Sequence, residues 1–205
     1  MSRADLHVHS KCSGYLNEWY LKDAQIRECY TRPEKVYAQA KEQGMDFVTL
    51  TDHNTIEGAL ILKSAHPEDF FTGVEITTRF PEDDCHIHLL AYDITMEQWA
   101  EMDALRHNIY LLRDYIRENR IAHSVAHATQ TVNGKLSIEI IEKLILLFDV
   151  FEGINGALTV YANHTFTQNV IAPCLPSALL FPRNPRPVPP PSARPITMLV
   201  AWPSA

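Results

Sequence analysis

Residues 4–10 read Ala4-Asp5-Leu6-His7-Val8-His9-Ser10, an apolar stretch with two histidines one residue apart close to the N-terminus. In a strand, side chains alternate between faces, so His7 and His9 would point the same way. Two neighbouring imidazoles at a strand end make half of a metal site, or else a pair of solvated side chains. The later apolar runs of the chain decide between these.

Working outward, the next apolar β-rich run is Met45 to Thr51, with Asp52-His53-Asn54 immediately after it. Phe70 to Thr77 carries Glu75 near its end, and His86 to Tyr92 holds His86 and His88. Ile121 to Ala128 holds His123 and His127, and Asp149 to Ile154 forms a sixth run. Helical patterns lie between them. Thr31 and Glu34 suggest a capping box, with Pro33 in the first turn and Gly44 at the far end. A short helix is expected over Thr55–Ser64. Thr95 with Gln98 suggests a second capping box, opening one long amphipathic helix to about Asn119. Ser137 caps a helix through Leu147. Such alternation predicts an α/β fold of parallel strands with helical crossovers, either a β/α barrel or a doubly wound sheet. No GxGxxG or P-loop pattern is present, so a nucleotide-binding fold has no support.

In a parallel barrel, chemistry sits at the C-terminal strand ends. His7, His9, His53, Glu75, then His88 and either His123 or His127 fall at or near five such positions in succession. Their common face predicts a polynuclear metal site, with neutral imidazoles as ligands and a glutamate able to bridge two cations. This donor set suits zinc, manganese or iron better than calcium.

The stretches DLHVHS, TDHNTIEG, GVEIT, HLLAY and HSVAHA, in that order, resemble the motifs of the PHP (polymerase and histidinol phosphatase) domain. The resemblance spans about Ala4 to Gly156; YLNEWYLK and LLFDVFEGINGA are similar to a subgroup of uncharacterised PHP proteins. It implies a distorted seven-stranded β/α barrel, of which about six strands are visible, and a cluster of up to three divalent metal ions, Mn, Zn or Fe. The implied activity is phosphoester hydrolysis by a metal-bound hydroxide on a small phosphorylated substrate. Carried over motif by motif, His7 and His9 bind the first metal, Glu75 bridges the first and second, His88 and His127 complete the second, and His53 binds the third. Glu75 and Asp52 are the candidate catalytic carboxylates, Asp52 as a group that orients rather than ligates. Arg79 or Lys11 could clamp the phosphate, although loop positions favour ordinary surface charges. Two alternatives stand beside this: a non-catalytic metal-binding or interaction module, and an amidohydrolase-type hydrolase, which also begins with HxH.

The family pattern closes with an Asp-x-His motif that supplies one ligand each to the first and third metals, and no counterpart comes after Gly156. His53 would then hold the third metal alone, so fewer than three metals, weakly bound, and low activity are expected. All 25 acidic residues lie at or before Glu152, and ten of the 13 prolines fall in residues 173–205. This divides the chain into a PHP-like domain at 1–156, a segment at 157–172 that could form a last helix, and a Pro-rich tail at 173–205 expected to be disordered. The abrupt shift fits a truncated or frame-shifted product.

Composition bounds the rest. The chain has 205 residues, 46% hydrophobic and 21% charged, enough for one domain with a core. A net charge of −7 argues against a broad basic face for nucleic acid. No apolar run reaches membrane-spanning length. Four cysteines without CxxC spacing suggest a reducing, cytoplasmic setting.

Overall fold

The computed structural model describes residues 2–13, 28–153, 155, 166 and 169. The expected helix at 157–172 and the tail at 173–205 lie outside the described residues, apart from those two single positions. The elements, in order, are β1 (Ala4–Asp5), a 3-10 turn (Lys11–Ser13), α1 (Pro33–Glu42), β2 (Phe47–Val48), α2 (Glu57–Ala65), β3 (Gly73–Arg79), β4 (His86–Tyr92), α3 (Met96–Leu105), α4 (Ile109–Glu118), β5 (Ala122–Val125) and α5 (Ile138–Leu147).

The expected all-parallel order is corrected. β1 and β2 pair in parallel, Ala4 opposite Phe47, and parallel bridges continue through Val48–Phe70 and His53–Glu75. From there the pairing is antiparallel: β3 with β4, Glu75 opposite Leu90, and β4 with β5, Leu89 opposite Val125. Two local causes account for it. β3 and β4 are joined only by the turn Phe80–Cys85, with Asp84 in the left-handed region at φ 57°. A connection that short cannot carry a crossover helix, so the chain reverses as a hairpin. β4 and β5 are joined by two helices in place of the expected one. Asn108 accepts from the amides of Tyr110 and Leu111 and starts α4 afresh. The second helix turns the chain once more, so β5 enters antiparallel. The sixth run survives as a parallel bridge, Val125–Phe151. No closed sheet exists among the described residues, so the expected barrel is not seen there.

Other local expectations hold. Thr95 and Gln98 form the reciprocal capping box of α3, Ser137 accepts from the Ile140 amide, and Gly44 follows α1 at φ 79°. The start of α1 differs: Arg32 is the N-cap and no side chain caps it, with Pro33 in the first turn. There Pro33 removes one of the amide donors that a cap would have to satisfy.

The antiparallel sheet separates two apolar layers. Val74, Ile76, Ile87 and Leu89 face the helices, where they join Leu62, Met102, Leu112 and Leu144 in the main core. On the other face, Leu90, Tyr92 and Ala126 form a smaller cluster with Leu6 and Phe71. Glu75, Thr77 and Arg79 alternate with Val74, Ile76 and Thr78, and so lie on the second face, as do their cross-strand partners Leu90, His88 and His86. β1 and β2 are tied in by neighbouring loops rather than by long ladders: the Thr51 amide donates to the Val8 carbonyl and the Phe71 amide to that of Val48. No helix among the described residues is long and apolar enough to cross a membrane.

Candidate metal centre

Glu75 stands in the middle of β3, where pairing of Thr78 and Arg79 with β4 extends the strand past the expected end. Its side chain is 1% exposed. Five imidazoles surround its carboxylate. Nε2 of His7, His9 and His53 lie 3.1, 3.1 and 3.4 Å from Oε2. Nδ1 of His88 and Nε2 of His127 lie 2.9 and 3.0 Å from Oε1. All six residues named as metal ligands from the sequence meet at this point.

Their carriers differ. His7 and His9 come after β1, which is shorter than expected, yet their rings still sit 5.1 Å apart. His53 sits in the turn after β2, held by its bridge to Glu75. His88 lies in mid-strand on β4, and His127 lies beyond β5 at φ 25°. The alternatives separate cleanly. His86 faces Asp84 at 3.3 Å, and His123 faces the Ile121 carbonyl at 2.9 Å and the Phe148 ring. Asp52 contacts none of the imidazoles by hydrogen bond. Its two oxygens accept from the amide and the hydroxyl of Ser10, tying the turn after β1 to the turn after β2. Arg79 pairs with Asp84 at 3.0 Å.

Two acidic residues of the centre are absent from the set expected from the sequence. Glu28 places Oε1 3.1 Å from Nε2 of His53 and Oε2 3.5 Å from Nδ1 of His9, and Oε2 accepts from the Ser13 hydroxyl. The expectation that His53 stands alone is thereby corrected, because His9, Glu28 and His53 offer three ligand atoms within 4.8 Å of one another. Glu28 precedes Cys29-Tyr30-Thr31 in a connecting segment, with no motif to mark it. Glu152 places Oε1 2.7 Å from Nδ1 of His7, and Oε2 accepts from the His127 amide. It lies near the end of the sixth run, as Glu75 does in its own, so the strand-end rule that selects Glu75 would select it too.

The charges reflect burial and proximity. Burial alone would raise the Glu75 carboxyl, but His7, His88 and His53 around it hold it well below the usual range. Burial works against protonation of His7, yet Glu75 and Glu152 on its two sides raise it well above 6.5. His88 behaves oppositely: burial dominates and lowers it to about 4, so it is a neutral imidazole. Partial burial works to raise the Glu28 carboxyl, but His53 and His9 bring it down to about 2. Asp52 is raised, by burial first, against the bonds from Ser10.

This donor set fits divalent cations. A neutral imidazole has one N–H, and His7 faces a carboxylate oxygen with each of its nitrogens. It must carry a full charge there, or have a cation between Nε2 and Glu75. Nδ1 of His53 is buried without a hydrogen-bond partner among the described residues, while Nε2 faces Glu28 and Glu75. Three sets satisfy ligand spacing: His7, His9 and Glu75; His9, Glu28 and His53; and His53, Glu75 and His88. Histidine nitrogens with shared carboxylates are the ligands of zinc, manganese and iron.

No family model matches the chain. Over 74 residues it is 38% identical to an uncharacterized protein of Methanocaldococcus jannaschii, a stretch covering 36% of this chain and 40% of that relative. The chain thus matches well under half of the relative's length. Among solved structures, an amidohydrolase from Chromobacterium violaceum with bound sulfate aligns at TM-score 0.54 and 14% identity, covering 82% of each chain. A protein from Bifidobacterium adolescentis assigned as a metal-dependent phosphoesterase aligns at 0.52 and 16%, covering 84% of this chain and 83% of that one. A two-domain protein from Bacteroides vulgatus, containing a predicted PHP-like metal-dependent phosphoesterase, aligns at 0.54 and 16%, covering 82% of this chain and 48% of that one. The chain shares with these three its mixed α/β fold.

Proposed function

We propose that this chain is a metal-dependent phosphoesterase of the PHP type. The observation that carries the reading is the convergence of five imidazoles on the single buried carboxylate of Glu75. His7, His9 and Glu75 would hold one cation, Glu75 and His88 with His127 or His53 a second, and His53 with Glu28 a third. His9 has one lone pair to offer as a neutral ring, so it serves one of its two sets at a time. Divalent cations bound there supply a nucleophile from water at neutral pH and positive charge for the phosphoryl oxygens.

The protein's own residues set the conditions for this chemistry. Leu6, Leu90, Tyr92 and Ala126 close the floor beneath Glu75 and keep water out from that side. His7 and Glu75 are 8% and 1% exposed, whereas His9 and His53 are 18% and Glu28 is 23%. A phosphorylated substrate therefore arrives over the rim formed by His9, His53 and Glu28. Glu28 stands on this rim and the carboxylates of Glu75 and Glu152 lie buried behind it, so a phosphate dianion is repelled until cations offset them. An amidohydrolase-type site would centre on a bridging lysine; a glutamate occupies the centre here.

Elemental analysis of purified chain, then hydrolysis of a chromogenic phosphomonoester with Mn(II) and with chelator, tests the reading. Bound cation and chelator-sensitive phosphoester hydrolysis that disappears in Glu75→Gln is the expected result. Failure to bind any divalent cation, or cleavage of lactones and amides with none of phosphoesters, overturns it.

A further inference from the structure

We propose that Glu152 is a positioning residue of the metal centre, fixing which nitrogen of His7 is free to ligate. This rests on the metal-dependent reading above. Glu152 lies just after Phe151, whose bridge to Val125 carries it alongside β5, and its side chain is 6% exposed. Both oxygens are engaged. Oε1 is 2.7 Å from Nδ1 of His7, and Oε2 accepts the His127 amide at 2.8 Å. Asn155 donates through Nδ2 to the pair at 3.2 and 3.1 Å, which holds the carboxylate plane.

The geometry separates positioning from ligation. Glu152 meets His7 at Nδ1, and Glu75 meets it at Nε2, across the ring. Glu152 is absent from every set of ligand atoms close enough to share a cation among the described residues. An acceptor at Nδ1 draws the ring proton there and leaves the Nε2 lone pair directed at Glu75, the tautomer that a cation beside Glu75 needs. The same carboxylate fixes the backbone of His127, which sits at φ 25°. A β-carbon-bearing residue adopts that conformation at a cost, and the bond from its amide to Glu152 helps hold it. One side chain thus sets two of the imidazoles around Glu75, one through its ring and one through its backbone.

The test uses the full chain loaded with zinc, with 15N-labelled histidine observed by NMR, and zinc affinity by competition with a chromophoric chelator. In the wild type, His7 is expected to ligate through Nε2 and to show a slowly exchanging Nδ1–H. In Glu152→Ala that proton should exchange rapidly and zinc affinity fall roughly 10- to 100-fold at unchanged saturating stoichiometry. In Glu152→Gln, whose carbonyl oxygen still accepts from Nδ1–H, the His7 proton should persist and most of the affinity return. His7 ligating through Nδ1 in the wild type overturns the proposal without any variant having to fold. So does an unchanged affinity in Glu152→Ala, or a stoichiometry lower by one ion, which would make Glu152 a ligand. A wild type that binds no zinc overturns the metal reading itself and this inference with it.

Discussion

His88 and His127 share one oxygen: Nδ1 of His88 and Nε2 of His127 lie 2.9 and 3.0 Å from Oε1 of Glu75 and 3.4 Å from each other. His88 presents Nδ1, whereas His7, His9, His53 and His127 present Nε2 to this carboxylate. The difference stems from placement. His88 projects directly from mid-β4, one strand away from Glu75, and the nearer ring nitrogen suffices. Replacing Glu75 removes the group that all five rings face. Glu75→Gln should remove the cations beside Glu75, measured by elemental analysis, and leave at most the ion of the His9, Glu28 and His53 set. In the cation-free protein near pH 6 it should cost about 1–3 kcal/mol in urea unfolding, because His7 and His53 each lose one charged partner and keep only Glu152 and Glu28.

Glu28 should matter for one ion only. Glu28→Ala is expected to lower the number of bound divalent cations by one under saturating metal, leaving the ions beside Glu75 in place. Isothermal titration of the variant against wild type counts them. An equal loss of all ions would show that Glu28 holds the turn carrying Ser13 and His9 rather than a cation.

Gly58 lies in the first turn of α2, and a β-carbon there would meet Oδ2 of Asp52 at 2.7 Å and the Ser10 hydroxyl at 3.2 Å. Gly58→Ala therefore wedges apart the pair that ties His7 and His9 to His53. In an exposed helix the same change would be stabilising by up to about 1 kcal/mol. Here it should be destabilising by about 1–3 kcal/mol and should weaken cation binding as well, as a thermal melt with and without Mn(II) would show.

His123 offers a pH dependence removed from the metal centre. Burial depresses its folded value below 6.5, against the bond to the Ile121 carbonyl. The unfolded chain takes up the proton first. Stability from this group is therefore present above pH 6.5 and lost as pH falls through 6.5 toward the folded value. Denaturant unfolding at about pH 7.5 and about pH 5.5 should differ less in His123→Gln than in wild type; equal differences would refute the assignment.

Much of the candidate centre is legible in the sequence because ligand-type residues at strand ends obey short, local rules. His7 and His9 are adjacent on one face, and His53, His88 and His127 each end or occupy an apolar run. The sheet order is less legible. The hairpin turn is visible in Pro81–Asp84, but strand–helix alternation outweighs it. The break at Asn108 interrupts what reads as one amphipathic period from Thr95 to Asn119. Glu28 carries no signal, since a connecting segment brings it to His53 without periodicity, 25 residues away in sequence.

The contact between His7 and Glu152 joins residues 145 positions apart. Glu75 and His88, by contrast, sit on the two arms of one hairpin. The latter pair can assemble as soon as that hairpin closes, while the former requires nearly the whole described chain to be in place. The last part of the candidate centre to be completed is thus also the clasp between segments from the two ends of residues 2–153. A cation beside Nε2 of His7 would act as a reporter of finished folding, rewarding the state in which the segments carrying His7 and Glu152 have both arrived.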